Sequence, residues 1–133
     1  MRETRSFPEQ PESVTAARRF ATGVLRHLSP EVTATVELLV SELATNCIRH
    51  TDSAFDLTII QAGREIRVEA TDYDDAGKPT MRSPKPADPS GRGLRIVDAL
   101  AAAWGVEHRS AHGKTVWFTV VAPAHERAPQ LAR

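Results

Sequence analysis

The spacing of apolar residues first changes between His50 and Phe55, and that change restricts the folds open to this chain. Before it, Val14, Ala17, Ala21, Val24, Leu25 and Leu28 recur at intervals of three and four. This predicts an amphipathic helix over Glu12–Leu28. Ser29-Pro30-Glu31 then restarts the chain: Ser29 is a suitable N-cap, Pro30 a good first helical residue, and Glu31 sits where the helix dipole favours an acid. A second helix runs to about His50 on a stripe of Val32, Val36, Leu39, Val40, Leu43 and Cys47. After the change the period is two. Phe55, Leu57 and Ile59 form one alternating set and Ile66, Val68 and Ala70 another, with Ala62-Gly63-Arg64 as the turn of a hairpin.

Asp74–Ser90 reads as a loop. Its four prolines, Pro79, Pro84, Pro86 and Pro89, are incompatible with a long helix or a central strand. Loops of this length in compact domains are usually functional or disordered. Gly91-Arg92-Gly93 opens a third helix, Leu94 to about Ala103. Trp104–Arg109 and Lys114–Val121 are two further strands, joined by a turn at Ser110–Gly113. Hairpins, rather than strict strand–helix alternation, predict an α+β two-layer sandwich: a mixed, mainly antiparallel sheet with about three helices on one face.

The length of 133 residues suits one domain. We place it at 12–122, between flexible segments at 1–11 and 123–133, with Thr4–Phe7 able to pair as an edge strand. Seventeen basic and seventeen acidic residues cancel, which argues against direct nucleic-acid binding. The lone Cys47 cannot make an internal disulfide and suits a reducing compartment. Neither a secretory signal nor a membrane-length apolar run is apparent, so a cytoplasmic location without membrane contact is expected.

Four groups of residues could carry chemistry. Glu42, Asn46 and Arg49, spaced four and three apart, share a helix face about a quarter turn from the apolar stripe. A carboxylate can act as general base, an amide oxygen can ligate Mg²⁺, and a guanidinium can pair with phosphate. A solvated helix face is the alternative, and spacing alone does not exclude it. Asp72 has the parity of the core residues Ile66, Val68 and Ala70, so it either points inward as an acceptor or begins a turn with Asp74 and Asp75. Ser90-Gly91-Arg92-Gly93-Leu94 is a glycine-rich helix start able to present N–H groups to phosphate, or an ordinary loop–helix junction. It is neither a P-loop nor a full GxGxxG motif. Gly113-Lys114-Thr115 opens the last strand, where the Thr115 hydroxyl could bond a nucleotide or a water, or serve only as a strand residue.

Taken in order, these pieces resemble the Bergerat-fold ATPases, the superfamily of gyrase, histidine kinases and heat-shock chaperones. Ser41-Glu42-Leu43-Ala44-Thr45-Asn46-Cys47-Ile48-Arg49-His50-Thr51 looks like the asparagine box. The strand ending in Asp72 resembles the first glycine box, Gly91-Arg92-Gly93-Leu94-Arg95-Ile96-Val97-Asp98 the second, and Gly113-Lys114-Thr115-Val116-Trp117 the last. The likeness spans about Glu12 to Val121. The small single-domain form is similar to the anti-sigma-factor serine kinases, and a whole histidine kinase, with a phosphoacceptor helix pair before the ATP domain, is not expected.

The resemblance implies Mg²⁺ and ATP as cofactors, bound between Glu42–Arg49 and the Asp74–Ser90 lid. It makes Glu42 the general base, Asn46 the Mg²⁺ ligand and Asp72 the acceptor for adenine. Gly91 and Gly93 would cradle phosphates, Arg49 would meet phosphate, and Thr115 would support the base end. Gly77, Arg92 and Leu94 complete the implied nucleotide-binding set. Such proteins phosphorylate a serine or threonine of an antagonist (anti-anti-sigma) protein and bind a sigma factor, and a homodimer stays open. There is one departure. The family's Asp-x-Gly-x-Gly is here Asp72-Tyr73-Asp74-Asp75-Ala76-Gly77, with Asp74 in place of the first glycine and the second displaced to Gly77. A second reading rests on it: a non-catalytic, partner-sequestering module with weak or no nucleotide binding.

Overall fold

The computed structural model describes residues 1–50, 53–73, 89–108 and 113–124, with the backbone alone at His50 and over 89–94. Within these, the elements follow the order β1 (Arg2–Phe7), α1 (Glu12–Val24), α2 (Pro30–His50), β2 (Phe55–Ala62), β3 (Glu65–Asp72), α3 (Pro89–Leu100), β4 (Ala103–His108) and β5 (Lys114–Val121). The strands form one sheet in the order β1-β2-β3-β5-β4. Every pairing is antiparallel, so the expected mixed sheet is fully antiparallel among the described strands. Each neighbour pair is joined in a way that reverses the chain, and none needs a parallel crossover.

The period-two reading fixes the sheet's faces. Phe55, Leu57, Ile59, Ile66, Val68, Ala70, Val116, Phe118 and Val120 all point to one side and are buried. They meet Ala17, Ala21, Val36, Leu39, Val40, Leu43 and Val97 from the helices in a single core. Phe55 and Phe118 are among its largest fully buried side chains. Each is worth about 2–3 kcal/mol of transfer free energy. The opposite face is polar: Thr4 and Thr58 share a 2.9 Å hydroxyl contact, and Arg67 lies 4.2 Å from the Trp117 ring centroid while pairing with Glu69 at 2.8 Å.

Boundaries differ from expectation in four places. α1 ends at Val24 rather than Leu28, as Leu25 leaves helical geometry at φ −104° and ψ 20°. A tight turn, Leu28 N to Leu25 O at 2.9 Å, still keeps Leu25 and Leu28 buried. The segment expected to be flexible at 1–11 carries β1, which pairs with β2 along Arg2–Phe7 and not only from Thr4. Phe7 anchors it, stacked on Phe55 at 5.6 Å and tilted on Phe20 at 6.1 Å. α3 starts at Pro89, two residues before Gly91, and stops at Leu100, leaving Ala103 to begin β4. Proline at a helix's first position loses no needed hydrogen bond, which favours the earlier start. Most of the expected Asp74–Ser90 lid, with Gly77, and most of the 123–133 tail lie outside the described residues.

Ser29 caps α2 as expected: Val32 N donates to Ser29 Oγ at 3.3 Å. The two-residue turn between Ala62 and Glu65 carries Gly63 at φ 62°, a left-handed conformation that glycine adopts without strain.

Candidate functional site

The C-terminal half of α2 crosses the sheet beside the end of β3. Its burial pattern divides the three residues of the polar face. Asn46 is 7% exposed and packed toward the core, Glu42 is half-buried, and Arg49 is exposed. The solvated-face alternative therefore holds for Arg49 and fails for Asn46. An amide drawn inward at the core's edge is costly unless it serves a polar partner.

Asp72 is the last residue of β3 and is 2% exposed. It pairs across the sheet with Phe55 on one side and Lys114 on the other. Of the two sequence readings, the inward carboxylate is the one observed. The residue after it is tied down: Tyr73 N donates to Ser53 Oγ at 3.3 Å, and Tyr73 OH donates to Asp56 Oδ2 at 2.8 Å. Asp56 also accepts from Ser6 Oγ.

Gly113 closes over this carboxylate from β5. At φ 88° it has a left-handed backbone. A Cβ there would strike the Asp72 carbonyl oxygen and lie 2.7 Å from Asp72 Oδ1. Only glycine lets the β5 start approach Asp72 so closely. Cys47, one residue after Asn46, is 1% exposed. Burial, and then the Asp72 charge, push its thiol up to about 12, and Lys114 acts in the opposite sense. The α2 turn at Asn46–Cys47 and the Asp72–Lys114 cross-strand pair thus share one neighbourhood.

Thr115 stands elsewhere. Its register partner is Thr71, and the two hydroxyls lie 2.7 Å apart in a buried hydrogen bond. Strand alternation puts both on the sheet face opposite Asp72. The residue opposite Asp72 on its own face is Lys114. The signal was present in the sequence, since Val116, Phe118 and Val120 face the core and position 114 shares their parity. Gly113, Lys114 and Cys47 are therefore members of this region to which the motif reading gave no role.

Gly91, Arg92, Gly93 and Leu94 lie within the first half of α3, whose axis packs against α2. With Pro89 as the first helical residue, the backbone N–H groups of α3 left free by helix geometry are those of Ser90 and Gly91. Gly93 already belongs to the hydrogen-bonded ladder. α3 is fastened at its other end by Trp104 Nε1 donating to Asp98 Oδ1 at 2.9 Å, and by Ala102 N donating to Thr119 O at 2.8 Å.

These features suit a nucleotide. A buried carboxylate under a glycine cradle accepts from an exocyclic amino group, and a helix start offers N–H donors to phosphate. Among the described residues no three His, Cys, Asp or Glu side chains cluster at metal-ligand geometry. A divalent cation here would be held by the Asn46 amide together with phosphate oxygens. No described helix is long and apolar enough to cross a membrane.

Comparison with known proteins agrees with this geometry. Residues 7–120 match the model of the histidine kinase-like ATPase domain. The chain is also similar to an uncharacterised protein of Streptomyces coelicolor, 39% identical over 75 residues that cover 53% of this chain and 70% of the relative. The match runs from the end of β1 almost to the end of β5 and takes in α2, Asp72, α3 and Gly113: the chain belongs to the histidine kinase-like ATPase domain family.

Proposed function

We propose that this protein binds Mg-ATP and transfers its terminal phosphate to a serine or threonine of a partner protein, acting as a regulatory, anti-sigma-type kinase. The observation that carries the reading is the buried carboxylate of Asp72 beneath Gly113, beside the Asn46 turn of α2. Asp72 would accept from the adenine amino group. The Ser90 and Gly91 amides of α3, with Arg49 at the α2 rim, would meet the phosphates. Asn46 would hold Mg²⁺, which when bound offsets phosphate charge and orients the terminal phosphoryl group. Half-buried Glu42, one helical turn before Asn46, would take the proton from the attacking hydroxyl.

The partners on this reading are a sigma factor and its antagonist protein, the antagonist being the phosphoacceptor. Glu42→Gln separates the roles. It should leave ATP binding unchanged and lower phosphate transfer to the antagonist by about 10²-fold or more, measured with γ-labelled ATP. Transfer at the full rate would remove Glu42 as base. The replacement of the family glycine by Asp74 favours a second reading, a partner-sequestering module that needs no nucleotide. On that reading Asn46→Ala leaves partner binding intact and there is no transfer to lose.

A further inference from the structure

At the corner of the sheet farthest from Asp72, β1 and α1 leave an open groove of about 850 Å³. In register, Asp72 aligns through Phe55 with Phe7, whereas the groove begins at Met1 and the Gln61 end of β2. Its floor is Phe20, Gly23 and Val24 of α1. Glu3 and Arg5 form the β1 wall, with Arg19, Arg26 and His27 along the rim.

Three observations say what this groove accepts. First, Glu3 and Arg5 share the parity of Phe7, so they sit on the sheet face that carries the core residues of β2, β3 and β5. Phe7 is buried, but Glu3 and Arg5 are exposed, because α1 covers only the Phe7 end of β1. Second, the charge is segregated. The whole chain balances seventeen cations with seventeen anions, whereas the groove sets three arginines against one glutamate. The ion pairs among the described residues all involve Arg67, so Arg5, Arg19 and Arg26 keep their charge for a partner. Arg5 is held over the Phe20 ring at 5.1 Å, which fixes its guanidinium at the groove wall. Third, β1 ends the strand order and pairs only with β2 among the described strands. Its outer edge offers alternating N–H and C=O groups to an added strand.

We propose that this groove is a docking site for an extended acidic peptide segment of a partner protein, added beside β1 as a sixth strand. A strand added about 4.8 Å outside β1 places every second side chain over α1, within reach of Arg19 and Arg26. Carboxylates at those positions meet guanidinium groups, and main-chain hydrogen bonds supply the rest of the affinity. A second copy of this chain fits less well, since an isologous contact brings the same arginines together about the twofold axis. A nucleic-acid strand would match the charge but not the strand edge, and the one aromatic ring of the floor is covered by Arg5. The site is independent of the nucleotide reading.

The test is fluorescence anisotropy with a short labelled peptide of alternating Glu and Val, beside a Lys/Val peptide and an oligothymidylate of equal length. The Glu/Val peptide should bind, and binding should fall with added salt. Arg19→Glu with Arg26→Glu should weaken it about tenfold or more, whereas Asp72→Asn should leave it unchanged. Hydrogen-exchange protection on binding should concentrate at Arg2–Phe7. Any of four results overturns the proposal: equal binding by the double variant, preference for the Lys/Val peptide or the oligonucleotide, protection confined to other strands, or a homodimer in light scattering that protects β1 without peptide.

Discussion

Asp72 and Gly113 act as a pair, and each predicts what happens to the other. Asp72→Asn keeps the shape but exchanges a charged acceptor for a neutral one. It should weaken ATP binding about tenfold or more while the fold persists by circular dichroism. Gly113→Ala adds a Cβ against the Asp72 carbonyl at a left-handed φ. It should cost about 1–3 kcal/mol of stability, read as a lowered denaturation midpoint, and should also lower nucleotide affinity because Asp72 must move. Cys47 gives a third prediction. The native thiol is raised from 9.0 to about 12, so the unfolded chain ionises first as pH rises. Its contribution to stability is intact below pH 9 and is lost as pH climbs from there toward 12. Thiol titration should find Cys47 unreactive in the native protein at pH 8 and reactive in urea; rapid native labelling would contradict its burial.

At the scale of elements, β1 is the least obvious part of the fold and one of the most consequential. Phe7 joins it to the core through Phe20 and Phe55, so Phe7→Ala should destabilise the protein by about 3–5 kcal/mol in denaturant unfolding. A loss below about 1 kcal/mol would mean that the strand is dispensable. β1 was only partly legible in the sequence. Its residues Arg2, Glu3, Thr4, Arg5 and Ser6 show no apolar alternation, because α1 covers only its end and the other positions face solvent or the groove. By contrast, α2, β2, β3 and β5 were readable almost residue by residue. Each buries a full apolar stripe or face, and periodicity reports such burial directly. The first residue of α3 was expected at Leu94, five residues after the observed Pro89, because the glycines were read as the helix boundary when proline occupies the first position.

For the molecule as a whole, the sheet brings together positions far apart in sequence: Asp72 from β3, Gly113 and Lys114 at β5, and Asn46–Cys47 from α2. Motif order singled out Asp72 and Asn46, whose residue types carry chemistry on their own, and both are buried. It also singled out Thr115, which the sheet sorts onto the face opposite Asp72, beside Thr71. The fold also separates two surfaces. The Asp72 end lies beside α2, while the arginine-lined groove lies at the other end of the sheet beside β1. The most direct test of the central claim is calorimetric titration of ATP, with and without Mg²⁺, into the protein and into Asp72→Asn. Saturable binding that strengthens with Mg²⁺ and weakens in the variant is the predicted result. A folded protein showing no saturation at about millimolar ATP would contradict the account, leaving a family member that has kept the fold and given up the nucleotide.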